Sequence, residues 1–209
     1  LTDASSSSGI TYKLEIVQQP ERAAEFGTRY LSRLPVSPPP IVQLHIRDKA
    51  GNPVNEDLEL PFLVAHLGIL TEDGNTFLNT VPSPNGDSTP LRLLYGTIVS
   101  SPHYLRNLQG KKGVYFLFPD VSIRWRGRYR LSVSLMRLSR QDNFSSVVGV
   151  GGQGTVLTEV RTTPFEVIPY SNYTAPPQTQ LSQYFVQQGA RMYTFSSSLS
   201  NPSLQSPAR

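Results

Sequence analysis

The segment from Arg128 to Leu138, RYRLSVSLMRL, sets the tightest limit on the fold. Tyr129, Leu131, Val133 and Leu135 fall on one side of an extended chain, and Arg128, Arg130, Ser132 and Ser134 on the other. A repeat of two belongs to a β-strand with one dry and one wet face. Such a strand needs partners, and residues 11–19, 41–48, 60–70, 91–101, 114–118 and 121–125 each read as one, with 156–168 a strand pair or a single strand bent at Pro164. Eighteen prolines and fifteen glycines in 209 residues argue against a helical bundle and for short strands joined by turns. Pro20, Pro35 and Pro38-Pro39-Pro40 make the first long connection a stiff, extended loop. Gln109-Gly110-Lys111-Lys112-Gly113 reads as a turn carrying two cations.

Residues 179–189 break the pattern. Leu181, Tyr184 and Phe185 are spaced as one helical face, Thr179 can cap the start and Gly189 the end, so one short helix is expected. Asp120, Gly127 and Tyr129 are spaced to turn one strand into the next, with Tyr129 a candidate corner tyrosine bonding back to upstream backbone. The sum is eight or nine strands and a C-terminal helix, an all-β, Ig-like Greek-key sandwich over residues 11–195. It is flanked by a Ser-rich segment (1–10) that reads as disordered and a low-complexity polar tail (196–209).

Cysteine is absent, which excludes disulfides, Cys-ligated zinc, iron–sulfur clusters and thiol nucleophiles. No stretch approaches about 18 consecutive apolar residues, so no membrane partner is expected. No signal peptide is read, and a start at Leu1 rather than Met reads as a fragment whose targeting signals can lie elsewhere.

The formal charge of +4 hides its distribution. Residues 101–140 hold nine bases (Arg106, Lys111, Lys112, Arg124, Arg126, Arg128, Arg130, Arg137, Arg140) and one acid, Asp120, for a local +8. The remainder holds ten bases and fourteen acids, or −4. A basic stripe on a near-neutral body fits a polyanion binder; the plainer alternative is a solvated strand face. Arg22, Arg29 and Arg33 lie in the first long loop, and loops at one end of a sandwich are where binding residues gather. Arginine grips phosphate as a fork and reads guanine in the major groove. The candidate DNA contacts are therefore Arg22, Arg29 and Arg33 in or beside a groove, with Lys111, Lys112, Arg124, Arg126 and Arg128 clamping phosphates. Trp125, opposite the arginine face, reads as core.

Other motifs carry less. Gly149–Gly154 matches G-x-G-x-x-G, but a Ser/Asn loop precedes it and a strand follows, the wrong setting for a pyrophosphate. His45, His66 and His103 lack metal-ligand spacing. Ser101, His103 and Asp120 have no G-x-S-x-G elbow to support a triad. Asn143-Phe-Ser and Asn172-Tyr-Thr fit the glycosylation pattern, which arises easily by chance. The chain reads as a non-enzyme with no cofactor and no metal.

Several blocks then match one family in order. Tyr12-x-Leu14-x-Ile16-Val17-Gln18-Gln19-Pro20-x-Arg22-Ala23 and Arg33-x-Pro35-Val36-x-Pro38-Pro39-Pro40-Ile41-Val42-Gln43-Leu44 closely resemble the opening of the velvet domain of fungal regulators. Leu94-x-Gly96-x-x-Val99-Ser100-Ser101-x-His103-x-Leu105 and Gly113-x-x-Phe116-x-Phe118-Pro119-Asp120-x-Ser122-x-Arg124-x-x-Gly127-x-x-Arg130-Leu131 follow. Glu159-Val160-x-x-x-Pro164-Phe165-x-Val167 and Leu181-Ser182-x-x-Phe185-x-x-Gln188-Gly189 complete the series. The resemblance implies a fold similar to the DNA-binding domain of Rel-type factors, homo- or heterodimers with other velvet proteins, contact with double-stranded DNA, and a nuclear role, with cytoplasmic shuttling, in development, sporulation and secondary metabolism. It also implies that the basic loop before the triple proline contacts DNA, which places Arg29 and Arg33 there. The sequence departs from the usual pattern at three points: Phe26-Gly27 replaces Cys-Gly, Arg33-Leu34-Pro35 replaces Arg-Arg-Pro, and Ala24 stands where a base is common. The loop is thus poorer in charge, which leaves open a velvet scaffold that bridges nuclear regulators without touching DNA.

Overall fold

Apolar side chains recur every second residue along most of the chain, and those stretches pair into sheets. A computed structural model describes residues 9–28, 31, 33–54, 59–82, 90–138 and 155–192. In chain order the strands are β1 (Thr11–Gln18), β2 (Arg22–Ala24), β3 (Ile41–Arg47), β4 (Leu63–Thr71), β5 (Thr80–Val81), β6 (Leu91–Arg92) and β7 (Leu94–Gly96). Then come β8 (Val99–Ser100), β9 (His103–Arg106), β10 (Lys112–Leu117), β11 (Val121–Ile123), β12 (Gly127–Arg137), β13 (Thr155–Arg161), β14 (Phe165–Ile168) and the helix α1 (Gln180–Gln187).

One sheet runs β1-β3-β10-β9; the other runs β2-β14-β12-β4-β8, with β13 also on β12. They form an all-β sandwich. Leu14, Val42, Leu44, Ile46 and Phe116 from the first sheet meet Leu63, Ala65, Leu67, Ile69, Leu131, Val133 and Leu135 from the second in one core. The alternation of β12 holds on its inner face: Leu131, Val133 and Leu135 are fully buried. Its outer face departs from the uniformly wet one that the alternation predicts. Ser132 is 1% exposed, because it pairs with Gly68 and the Phe77 ring packs over that glycine. Trp125 is half-buried and packs against the core.

The predicted strand over 91–101 is three pieces. They pair in turn with β5, β11 and β4, so the chain passes from one sheet to the next. Gly96 makes the turn possible: its φ is +99°, and a Cβ there would lie 1.6 Å from the Asp120 carbonyl oxygen. The long first loop also contains a strand, β2, paired in parallel with β14.

The helix covers the outer face of the first sheet at one end. Phe185 is fully buried there with Ile41, Leu105, Tyr115 and Leu117, its ring 4.9 Å from that of Tyr115. Burial of such a side chain contributes about 1.5–3 kcal/mol. Both helix ends are pinned by glutamine. Gln18 Nε2 donates to the Pro39 carbonyl (2.7 Å) and to Ser182 Oγ (2.9 Å), while Thr179 Oγ1 donates to Gln18 Oε1 (2.6 Å) and accepts from Ser182 N (3.1 Å). At the other end Gln188 Oε1 accepts from Arg106 N (2.7 Å) and Gln188 Nε2 donates to Arg106 O (2.9 Å). The amide takes the place of a neighbouring strand on the edge strand β9. The predicted caps of this helix, Thr179 and Gly189, are both in place.

Candidate nucleic-acid interface

The strand order divides the predicted basic residues between two ends of the sandwich. β10 carries Lys112 at its start and leads to Asp120 beyond its finish. Its six residues alone separate those ends by roughly 17 Å. Lys111 and Lys112 sit with Arg106 on the β9–β10 hairpin, across a groove of about 460 Å³ from Arg47 and Val54. Arg33 lies at the far end, 3.8 Å from Asp120. Arg33 and the hairpin lysines therefore stand at different ends of the sandwich.

The proline end gathers the rest. Arg22 on β2 and Arg128 on β12 flank Glu166 on β14 in register, and all three are exposed. Arg126 is exposed beside them, with its backbone N–H donating to Glu25 Oε2 at 3.1 Å. Arg128 Nε donates to Glu72 Oε1 at 2.7 Å. Arg130 is drawn away by its neighbours: Nε donates to the Glu72 carbonyl and Nη1 to the Thr162 carbonyl. Bases and acids thus interleave here. At the hairpin end neither Lys111 nor Lys112 enters an ion pair among the described residues.

Arg124 corrects the sequence reading most sharply. It is fully buried and cannot clamp a phosphate. Its Nε donates to the Arg92 carbonyl (2.8 Å), Nη1 to the Gly27 carbonyl (2.8 Å) and Nη2 to Tyr95 Oη (2.6 Å). Phe26 and Tyr95 stack on the guanidinium from 5.1 and 4.8 Å and meet each other edge to face at 5.2 Å. The charge ties the loop after β2 to β6 and β7. Phe26, the aromatic at the first departure from the family pattern, is one wall of this arrangement. Tyr129 Oη donates to the Arg126 carbonyl at 3.2 Å, three residues upstream, so a corner tyrosine holds the start of β12. Burial, and then the Glu25 carboxylate, raise its hydroxyl above the usual tyrosine range.

Arg29, the Gly149–Gly154 loop and Asn143 lie outside the described residues. His103 is held below the usual histidine range by desolvation. Among the described residues no three His, Asp or Glu side chains group as a metal site, and no helix is long and apolar enough to cross a membrane.

Comparison with known proteins follows the same span as the fold. The velvet factor family matches residues 12–89 and 79–194. The sexual development regulator VELC of Pyricularia oryzae is 36% identical over 133 residues, 63% of this chain and 29% of that protein. The spore development regulator RYP2 of Ajellomyces capsulatus is 31% identical over 184 residues, 87% of this chain and 42% of that protein. The developmental and secondary metabolism regulator veA of Hapsidospora chrysogenum is 30% identical over 199 residues, 87% of this chain and 36% of that protein. The chain spans less than half the length of each of these curated relatives.

Proposed function

This chain belongs to the velvet family, and on that premise we propose that it is a transcription regulator that binds double-stranded DNA as a homo- or heterodimer with another velvet domain. It would act in the nucleus on fungal development, sporulation and secondary metabolism, the processes for which its relatives are named. The observation that carries the reading is the cluster of Arg22, Arg33, Arg126 and Arg128 around the proline-stiffened loop at one end of the sandwich, where Arg29 also falls in sequence. The acids among them do not cancel it. The Arg33–Asp120 and Arg128–Glu72 pairs are partly exposed, and such pairs are worth about 0–1 kcal/mol, so a phosphate can displace the carboxylate at little cost. The interleaved acids also disfavour binding in a wrong register, which suits selective contact better than general attraction.

A gel shift with genomic fragments, on the protein alone and with a velvet partner, tests the reading. Four neutralised phosphates per protomer give a log K against log salt slope of roughly −3.6. Absence of a shift at low salt in both arms would overturn DNA binding. The velvet scaffold that bridges nuclear regulators is the second reading, and Glu25, Glu72, Asp120 and Glu166 among the arginines favour it.

A further inference from the structure

Away from the proline end, the β1-β3-β10-β9 sheet is split along its middle. β3 and β10 pair only from Leu117↔Ile41 to Val114↔Leu44. Both strands run on past that point, β3 to Arg47 and β10 back to Lys112, without pairing further. Continued in register, Lys112 would face Ile46. The Ile46 carbonyl instead accepts from Val54 N at 3.1 Å, where the chain folds back after β3 and Pro53 bridges to Arg47. The parting of the strands opens the groove of about 460 Å³.

Two features fit this groove to an added strand. The first is an open backbone edge. Gln188 holds the N–H and C=O of Arg106 on the outer side of β9, so Arg106 and Lys112 form one of the pairs that exchange no backbone hydrogen bonds. The N–H and C=O of Lys112 then point the other way, toward β3 and into the groove. Phe118 obeys the same alternation, its N–H reaching the Pro40 carbonyl at 3.2 Å on that side. Lys112 has no strand partner there among the described residues, and an unpaired edge is a template for another chain. The second feature is the division of polarity. Leu44, Ile46, Leu60 and Val114 give the groove an apolar lining, while Arg47, Lys111 and Lys112, all exposed, stand around it. Among the described residues no carboxylate lines it, and Glu15 on β1 is engaged with His45 at 3.0 Å. Phosphates would use the cations alone. An extended peptide uses the cations, the lining and both backbone groups of Lys112.

We propose that the split between β3 and β10 is a docking groove for an extended acidic segment of another protein, in which carboxylates alternate with apolar side chains. Its backbone pairs with Lys112, its apolar side chains pack on Leu44, Ile46 and Val114, and its carboxylates meet Arg47, Lys111 and Lys112. The site does not rest on DNA binding.

The probe is a short, end-capped, fluorescein-labelled peptide of alternating glutamate and valine, titrated into the whole chain and followed by anisotropy. The controls are the lysine–valine peptide of the same length and the glutamate–valine peptide N-methylated on alternate amides. Saturable binding is expected for the first alone, with ¹⁵N amide shifts at Ile46, Val54 and Lys112. Lys111→Gln combined with Lys112→Gln should weaken it about tenfold, since two partly exposed ion pairs are removed. The proposal is overturned if no binding saturates, if either control binds as tightly, if the double variant binds like the parent, or if the shifts gather at Arg22, Arg126 and Arg128. It is also overturned if a DNA duplex displaces the peptide and moves the same three amides, which would make the groove a nucleic-acid surface. A chain that fails the gel shift yet binds the peptide separates this proposal from the DNA reading.

Discussion

At the proline end of the sandwich, Arg22, Arg33, Arg126 and Arg128 are interleaved with Glu25, Glu72, Asp120 and Glu166. At the hairpin end, Lys111 and Lys112 project beside Arg106 and Arg47 with no ion pair of their own among the described residues. The first arrangement orients charge and the second accumulates it. A mosaic gives weak net attraction but many ways to reject a misplaced phosphate, whereas unpaired lysines raise the local potential with little regard for register. A count along the sequence treats both alike, and only the strand order separates them.

The sharpest way to break this comparison is to remove the support beneath the mosaic end. Arg124→Ala strands the Arg92 and Gly27 carbonyls and Tyr95 Oη around a void, and should cost about 3–5 kcal/mol, read as a fall in the urea midpoint. A loss below about 1 kcal/mol would mean that the loop after β2 is held by other contacts.

Removal of one oriented charge comes next. Arg33→Ala should weaken specific DNA binding by about 1–3 kcal/mol if its side chain reaches a base, measured against a scrambled fragment. The double change Lys111→Gln with Lys112→Gln should instead lower affinity for every fragment alike. It should reduce the salt slope by about 1.8 if both lysines meet phosphate, and by nothing if the hairpin end stays clear of the duplex. Equal behaviour of the two variants would erase the distinction between the ends.

Gln188→Leu should cost about 1–2 kcal/mol, since two exposed hydrogen bonds to Arg106 are lost, and should speed amide exchange at Arg106. The smallest effect is expected for Arg128→Gln. Its ion pair with Glu72 is more than half exposed on both sides, so stability should change by less than about 0.5 kcal/mol even where DNA binding falls.

The parts of the fold that could be read in advance share one property: their signal is local. The alternation in 41–48 and 128–138 finds its inner face because period two and one-sided burial coincide. Helix α1 is marked at both ends by its own caps. Strand β2 escapes because three residues have no period, and its partner β14 lies some 140 residues further along the chain. Residues 91–101 look like one strand because apolarity does not say which sheet receives each piece. Arg124 misleads for a related reason. The alternation of VSIRW points it away from Ile123, and on a one-faced strand that means solvent. β11 is instead enclosed on both faces, so Ser122 and Arg124 are as dry as Val121 and Ile123. The candidate site was legible as chemistry, arginines and lysines suited to phosphate, but not as geometry, because the two ends of β10 are adjacent in sequence and distant in space.

The glutamine that imitates a strand has an implication for assembly. Any neighbour seeking to extend the sheet past β9 must compete with the Gln188 side-chain amide for the same two backbone atoms of Arg106. Docking there and release of the helix's C-terminal end are therefore one event, and a ligand or covalent change that loosens the helix would unmask a sticky border.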